Sequence, residues 1–225
     1  MHQSIDKKNK IILYIVFLVL LSTTSGKLLE KQKKYILKIN DIKVFGLSVD
    51  KNLEIHNDLN SIFYQNIFLL GKEEINKIIN KHNIIEEYSI KKTYPSTLNI
   101  EIKPAKFLAK ISNHNNLIVG SNGKLISGEQ SDKILPYIFG KFNSKKFLEF
   151  TENIELSKFN FVDFKAVYLF PSNRWDIITA DNVLIKLPEK NVSTSLNIAH
   201  KIITNTQFKN KNIIDLRIKN HLIIK

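Results

Sequence analysis

The chain has 225 residues, of which 43% are hydrophobic, 10% aromatic and 24% charged, a composition typical of a folded globular protein rather than a disordered one. It contains no cysteine, which excludes disulfides, thiol catalysis and cysteine-based metal sites. Its net charge of +13 would suit nucleic acid or an anionic membrane surface, but the lysines occur together with many isoleucines and asparagines, which favours a compositional bias over nucleic-acid binding.

An uninterrupted apolar run of eleven residues, Ile11 to Leu21, follows the basic N-terminus and predicts a segment that carries the chain into a membrane. A helix of this length spans roughly 16 Å, against about 30 Å for the hydrocarbon core, which suits a signal peptide. The alternative is a span over residues 11–29 that continues through small residues to Gly26, with Lys27 snorkelling. The segment by itself leaves signal peptide and uncleaved anchor equally open.

The next part of the chain shows an α+β pattern. Strict alternation of apolar residues predicts a strand, the spacing i, i+4, i+7 predicts amphipathic helices, and Pro95 predicts a turn between two further strands. The predicted elements are a strand over residues 35–46, a helix capped by Asp50, a helix after Gly71, and strands over residues 84–92 and 98–103.

From Phe107 onward the apolar periodicity is almost all two, which predicts a mostly antiparallel β domain. Turn residues at Asn122-Gly123 and at Ala180-Asp181-Asn182 each predict a hairpin. The other predicted elements are a loop over residues 135–140, helices within residues 142–159 and 192–203, and a closing pair of strands, or one bent strand, over residues 213–218 and 222–224.

Catalytic chemistry finds no support in these residues. The six histidines are scattered without metal-ligand spacing, and the motifs of serine acyl-transfer, penicillin-binding and zinc-hydrolase enzymes do not occur. We therefore expect a protein that is not an enzyme and that has no catalytic, cofactor-binding or metal-binding residues.

The closing segment, residues 213–225, is the candidate binding site. We expect it at or near a sheet edge, where unpaired N–H and C=O groups can accept a strand from another chain. Ile218, Leu222 and Ile224 would form one alternating apolar face, and Arg217 would supply a charged contact. Because Asp215 and Arg217 are two residues apart on a strand, a structural ion pair with a neighbouring strand is an equally open role for them.

The order of the elements, together with several short motifs, resembles the bacterial cell-division family FtsQ/DivIB over the full length of the chain. Two departures from the family pattern are Phe107, at the position of a proline, and Ile218, at the position of an aromatic residue. The motifs that carry the resemblance are Ile42-Lys43-Val44-Phe45-Gly46, Tyr94-Pro95-Ser96-Thr97-Leu98, Leu135-Pro136 with Gly140, Trp175-Asp176 with Asp181-Asn182, and Ile214-Asp215-Leu216-Arg217.

The resemblance implies a membrane-tethered α+β protein at the division septum. Its parts would be a cytoplasmic tail (1–10), a single transmembrane helix (11–29), a POTRA domain of order β-α-α-β-β (35–106) and a C-terminal, mostly antiparallel β domain with one or two helices (107–225). It favours retention of the N-terminal segment as a single-pass, type II anchor in the inner membrane, with the N-terminus cytoplasmic and the bulk periplasmic.

The resemblance also implies the function of a divisome scaffold that helps control septal peptidoglycan synthesis. Its partners would be bitopic division proteins resembling FtsB and FtsL and other divisome components, with no nucleic acid. The alternative function is that of a cleaved periplasmic POTRA protein in envelope or outer-membrane protein assembly. The implied partner-binding residues are Arg217, Ile218, Asn220, Leu222, Ile224 and Lys225.

Overall fold

The structure, a computed structural model, describes residues 7–23, 37–114, 116–129, 134–208, 211–218 and 221–225. Within them the chain forms an N-terminal helix, a three-stranded sheet accompanied by two helices, and a nine-stranded sheet accompanied by two more. The α+β class predicted from the sequence is confirmed.

The first helix, α1 (Lys7–Thr23), contains the apolar run, and the side chains from Ile11 to Leu21 are all between 51% and 70% exposed. Among the described residues, no helix combines the length and the hydropathy that a membrane span requires. The predicted span continues over residues 24–29, which lie outside the described residues. The single-pass anchor therefore stays a prediction.

The three-stranded unit consists of β1 (Asp41–Phe45), α2 (Val49–Asp58) with a 3-10 turn (Leu59–Ile62), α3 (Lys72–Ile79), β2 (Ile85–Thr93) and β3 (Thr97–Pro104). Its sheet has the order β1-β3-β2, in which β1 is parallel and β2 antiparallel to the central β3. The predicted order of strand, helix, helix, strand, strand is confirmed, although α2 begins after Ser48, and Asp50 lies in its first turn.

Gly46 ends β1 in a backbone conformation that favours glycine, with φ at +111°. A Cβ atom built on it would lie 1.8 Å from the carbonyl oxygen of Ile102 in β3. The close approach of the two strands at this point therefore depends on the absence of a side chain.

The nine-stranded unit adds the strands β4 (Phe107–Ile111), β5 (Leu117–Gly120), β6 (Leu125–Ser127), β7 (Tyr137–Phe139), β8 (Phe164–Leu169), β9 (Trp175–Thr179), β10 (Leu184–Lys186), β11 (Ile213–Asp215) and β12 (Ile223–Ile224). The sheet order is β12-β11-β10-β9-β8-β7-β4-β5-β6. Three neighbouring pairs are parallel, β4 with β7, β7 with β8 and β10 with β11, and the other five are antiparallel, as expected for a mostly antiparallel domain.

Two helices, α4 (Ser144–Glu155) and α5 (Val192–Ile203), contribute to the core of this unit. The side chain of Asn143 caps α4 by accepting a hydrogen bond from the backbone N–H of Lys146 at 3.0 Å. Phe150 of α4 stacks on Trp175 of β9 with ring centroids 4.4 Å apart. Because strand side chains alternate, the residues next to Trp175 along β9 face the other side of the sheet.

Two central strands differ from the sequence prediction. Residues 137–139, predicted as loop, form β7 between β4 and β8, and Ile138 in it is 1% exposed. Its neighbour β8 has no counterpart among the predicted elements. Pro136 suggests a loop because it has no N–H, but its carbonyl oxygen accepts a hydrogen bond from the N–H of Lys110 at 2.8 Å, which helps to hold this segment beside β4.

The β5–β6 hairpin is fastened to the start of β2 by side-chain amides. Asn122 in its turn donates from Nδ2 to the carbonyl oxygens of Asn83 and Ile85, both at 2.9 Å. In return, Asn83 donates from Nδ2 to the carbonyl oxygen of Leu125 at 2.8 Å. A backbone acceptor of the edge strand β6 is therefore occupied by the three-stranded unit.

Candidate functional site

The C-terminal segment forms one edge of the nine-stranded sheet, as predicted. Ile214 of β11 lies opposite Ile224 of β12, and Asp215 lies opposite Ile223, in antiparallel register. The segment is thus a pair of strands rather than one bent strand. Among the described residues, β12 has a neighbouring strand on one side only.

The backbone of this edge is set by the hydrogen bonds of Lys225. Its N–H donates to the carbonyl oxygen of Ile213 at 3.0 Å, and its own carbonyl oxygen accepts from the N–H groups of Ile213 and Asn212 at 3.0 and 2.8 Å. In an antiparallel ladder such bonded pairs alternate with pairs whose N–H and C=O point outward. The N–H and C=O of Ile224 therefore point away from β11, where a further strand can add.

The side chains at this edge divide between core and surface. Ile218, Leu222 and Ile223 are 60%, 47% and 43% exposed, whereas Ile224 packs against the core. The predicted apolar face of Ile218, Leu222 and Ile224 is therefore wrong. Ile218 lies in a bend outside the strands, and β12 has only two residues, of which Ile224 faces inward and Ile223 outward.

A row of charged residues crosses the sheet toward this edge. Asp176 of β9 lies opposite Lys186 of β10, which lies opposite Asp215 of β11, and the row ends at Ile223 of β12. These side chains face the side opposite to the α4 and α5 core, because they alternate with buried isoleucines on the same strands. The exposed apolar edge is thus continuous with a polar strip on the sheet face.

Arg217 is held in place by Asp215. Its Nε lies 2.8 and 3.0 Å from the two carboxylate oxygens, and its backbone N–H donates to the same carboxylate at 3.1 Å. The ion pair considered from the sequence therefore joins two residues of one segment and not two strands. The Arg217 side chain is 41% exposed, so the pair orients a cation that still reaches solvent at the edge.

The hydrogen bond from Arg217 holds the pKa of Asp215 below its usual range. A lowered carboxyl pKa contributes stability that is present above the unfolded-state value of about 3.9 and is lost as the pH falls through the folded-state value. We expect Asp215→Asn to lower the urea midpoint at pH 7, and the gap to the parent protein to close as the pH falls toward about 2. A gap that stays constant with pH would contradict this assignment.

Asp176 was not among the predicted site residues, although it is only 5% exposed. Burial raises the pKa of its carboxyl group. The positive charge of Arg174, whose Nε lies 3.2 Å from the carboxylate, acts in the opposite direction and lowers that pKa. Arg174 in turn lies over the ring of Phe170, 4.5 Å from the centroid. The sequence does contain a signal for the position of Asp176. If the predicted turn at residues 180–182 joins two antiparallel strands, counting the same number of residues outward on each side places Asp176 opposite Lys186.

The structure brings five of the six predicted contact residues to this edge: Arg217, Ile218, Leu222, Ile224 and Lys225. The backbone N–H and C=O of Ile224 point away from β11, whereas its side chain packs against the core. Asn220 lies outside the described residues. In the described ranges, no three or more histidine, aspartate or glutamate side chains are grouped so that they could hold a metal ion.

Comparison with known proteins finds two family models that match most of the chain. The cell division protein FtsQ/DivIB C-terminal model matches residues 109–217, and the FtsQ-type POTRA domain model matches residues 37–103. A curated relative, cell division protein FtsQ of Rhizobium meliloti (strain 1021), is 21% identical over 192 residues. The matched region is 83% of this chain and 62% of that relative, so the chain spans less than two thirds of the relative's length.

Proposed function

The chain belongs to the FtsQ/DivIB family of cell-division proteins, and on that premise we propose that it acts as a scaffold of the division complex with no catalysis of its own. The proposal has three parts, which are a membrane tether, a docking edge and control of septal wall synthesis through assembly.

The tether is the N-terminal segment over residues 11–29. It would cross the inner membrane once, with the N-terminus in the cytoplasm and the POTRA and β domains in the periplasm at the division septum. The exposure of every residue of the apolar run in α1 supports this role, since eleven apolar side chains in a row avoid water only in lipid or in a protein partner.

The docking edge is β12 with the residues around it. A small bitopic division protein, resembling FtsB or FtsL, would add a strand beside Ile224 through main-chain hydrogen bonds. Leu222 and Ile223 would supply apolar contacts, and Arg217 would attract an acidic side chain of the partner. The single observation that carries this part is the pair of hydrogen bonds between Ile213 and Lys225, from which it follows that the N–H and C=O of Ile224 point away from β11.

Control of the septal wall would follow from occupancy of this edge. Strand addition orders the partner's segment on the edge of a preformed sheet. The complex would therefore form only when the membrane tether holds both chains close together and the docking edge is free to accept the strand. Enzymes recruited to that complex would then carry out the synthesis of septal peptidoglycan, and this chain would regulate them by binding.

We expect Leu222→Asp to lower the affinity for an FtsB-like partner at least about tenfold, because it places a charge in the apolar contact of the added strand. The measurement is titration of the full chain in detergent with the partner's periplasmic segment. The melting temperature should change by less than about 2 °C, since Leu222 is partly exposed and lies outside the core cluster.

Leu53→Asp is the matched control, because Leu53 is a leucine that is 57% exposed on α2, in the other unit. It should bind the partner as the parent protein does. Truncation after His221, which removes β12, should abolish binding. Unchanged binding by the truncated chain would sink the docking edge, and a large drop in melting temperature for Leu222→Asp would make Leu222 a core residue instead.

A further inference from the structure

Four large exposed side chains lie at one end of the three-stranded unit, two of them in ring contact, and together they are here called the aromatic patch. The rings of Phe68 and Tyr94 stack with centroids 4.5 Å apart, although both remain more than half exposed. The members and their exposed fractions are Tyr64 69%, Phe68 57%, Leu69 83% and Tyr94 53%.

The aromatic patch lies where the chain arrives from the N-terminal segment. The N–H of Ile67 donates to the carbonyl oxygen of Leu37 at 2.8 Å, and the N–H of Tyr64 donates to that of Ile39 at 2.9 Å. The segment that carries three members of the patch therefore runs beside the first described residues of the unit. Tyr94 joins them because the β2–β3 turn is at the same end, with Ser96 accepting from the N–H of Asn40 at 3.0 Å.

Only thirteen residues, 24–36, separate α1 from this point. Thirteen residues can span at most about 45 Å, which limits how far the aromatic patch can lie from the end of α1. These residues include Lys27, Lys31, Lys33 and Lys34 against one acidic residue, Glu30. The aromatic patch therefore lies within that reach of α1 and follows a net positive stretch of the sequence.

We propose that the aromatic patch rests on the lipid headgroup region of the membrane that holds α1. This inference rests on the tether proposed above. Tyrosine, phenylalanine and leucine are suited to the membrane–water interface, and the lysines that precede the unit in the sequence are attracted to anionic lipids. Four side chains are few compared with the roughly 20–30 residues per partner of a stable protein interface, which favours lipid over a second copy or another protein.

Contact with the membrane would orient the whole periplasmic part. The N-terminal end of β1, which is next to Leu37, would face the lipid. Its C-terminal end, from which the chain passes through Gly46 to Val49, would face away. Val49 and Leu69 are both apolar and both 83% exposed, so they form a matched pair at opposite ends of the unit.

Single-cysteine probes test this orientation cleanly, because the chain has no cysteine of its own. Leu69→Cys and Val49→Cys, each in the full chain and labelled with an environment-sensitive fluorophore, are reconstituted into vesicles of phosphatidylglycerol and phosphatidylcholine. Emission at Leu69 should shift to the blue, and a headgroup-nitroxide lipid should quench it at least about twofold more than at Val49. Equal melting temperatures for both variants check that the label positions leave the fold intact.

Vesicle flotation with intact-mass measurement separates failure of this inference from failure of the tether. If the full-length mass does not float, or the first twenty-odd residues are missing, the tether fails and the inference falls with it. If the chain floats but the two probes respond alike, the tether stands and the inference is overturned. A response at Leu69 that depends on protein concentration and not on lipid would also overturn it, in favour of a second copy.

Discussion

Replacing Phe150 by alanine is expected to lower the free energy of unfolding by about 3–5 kcal/mol. The ring is 2% exposed, stacks on Trp175, and meets Phe161 edge-on with centroids 6.3 Å apart. Its removal leaves a cavity between α4 and β9 that the surrounding aromatic rings can fill only in part, so the lost contacts and the cavity both contribute.

The measurement is urea unfolding followed by the fluorescence of Trp175, which is the only tryptophan of the chain and the direct neighbour of the substituted ring. Leu156→Ala is the control, since Leu156 is the C-cap directly after the same helix and is 73% exposed. It should change the free energy of unfolding by less than about 0.5 kcal/mol. A similar loss for both variants would mean that the aromatic stack does not hold α4 on the sheet.

Gly46→Ala is expected to destabilise the POTRA domain by about 3 kcal/mol. A side chain at φ +111° is strained by itself, and its Cβ would overlap the carbonyl oxygen of Ile102, so β1 or β3 must move. Because β1 pairs only with β3 among the described strands, the displacement falls on the only ladder that β1 has.

Amide hydrogen exchange over residues 41–104 reports this loss domain by domain. Gly71→Ala is the control, because Gly71 has φ at −81° and a Cβ built there meets nothing within 4 Å. Its effect should stay under about 1 kcal/mol. Protection that falls equally in both variants would show that the loss of glycine, and not the clash at Ile102, is responsible.

The sequence predicts best the elements whose signal is local and repeated. Val192, Leu196 and Ala199 recur at helical spacing, and all three are buried in α5 as that spacing requires. The hairpin at residues 180–182 is equally predictable from the sequence, since its turn residues lie between two apolar runs. In both cases packing selects the structure that the local sequence already favours.

The strands β7 and β8 could not be predicted in this way. β7 has only three residues, and it is a strand because it pairs with parallel strands that are distant in the chain. Ile138 in it pairs with Ile111 of β4 and with Val167 of β8. A run so short carries no periodicity to distinguish strand from loop. Non-local pairing, which no single segment encodes, decides the centre of this sheet.

The candidate site shows the same division. Its place at a sheet edge follows from a closing strand in a β-rich domain, but the facing of its side chains does not follow from the alternation of the sequence. In β12, Ile223 faces outward and Ile224 inward, the reverse of a continuous alternation from Ile218. The C-terminal family match ends at Arg217, before β12 begins.

The amide of Asn83 on the carbonyl oxygen of Leu125 has a consequence for stoichiometry. A sheet with two unpaired edges can accept a strand at each of them. Edge-to-edge addition of such molecules can therefore continue into a fibre. Because a backbone acceptor of the β6 edge is engaged by the three-stranded unit, the proposed strand addition is expected at the β12 edge. Strand addition at β12 would then terminate after a single partner, and chains crowded together in one zone of a membrane would form discrete pairs rather than fibres.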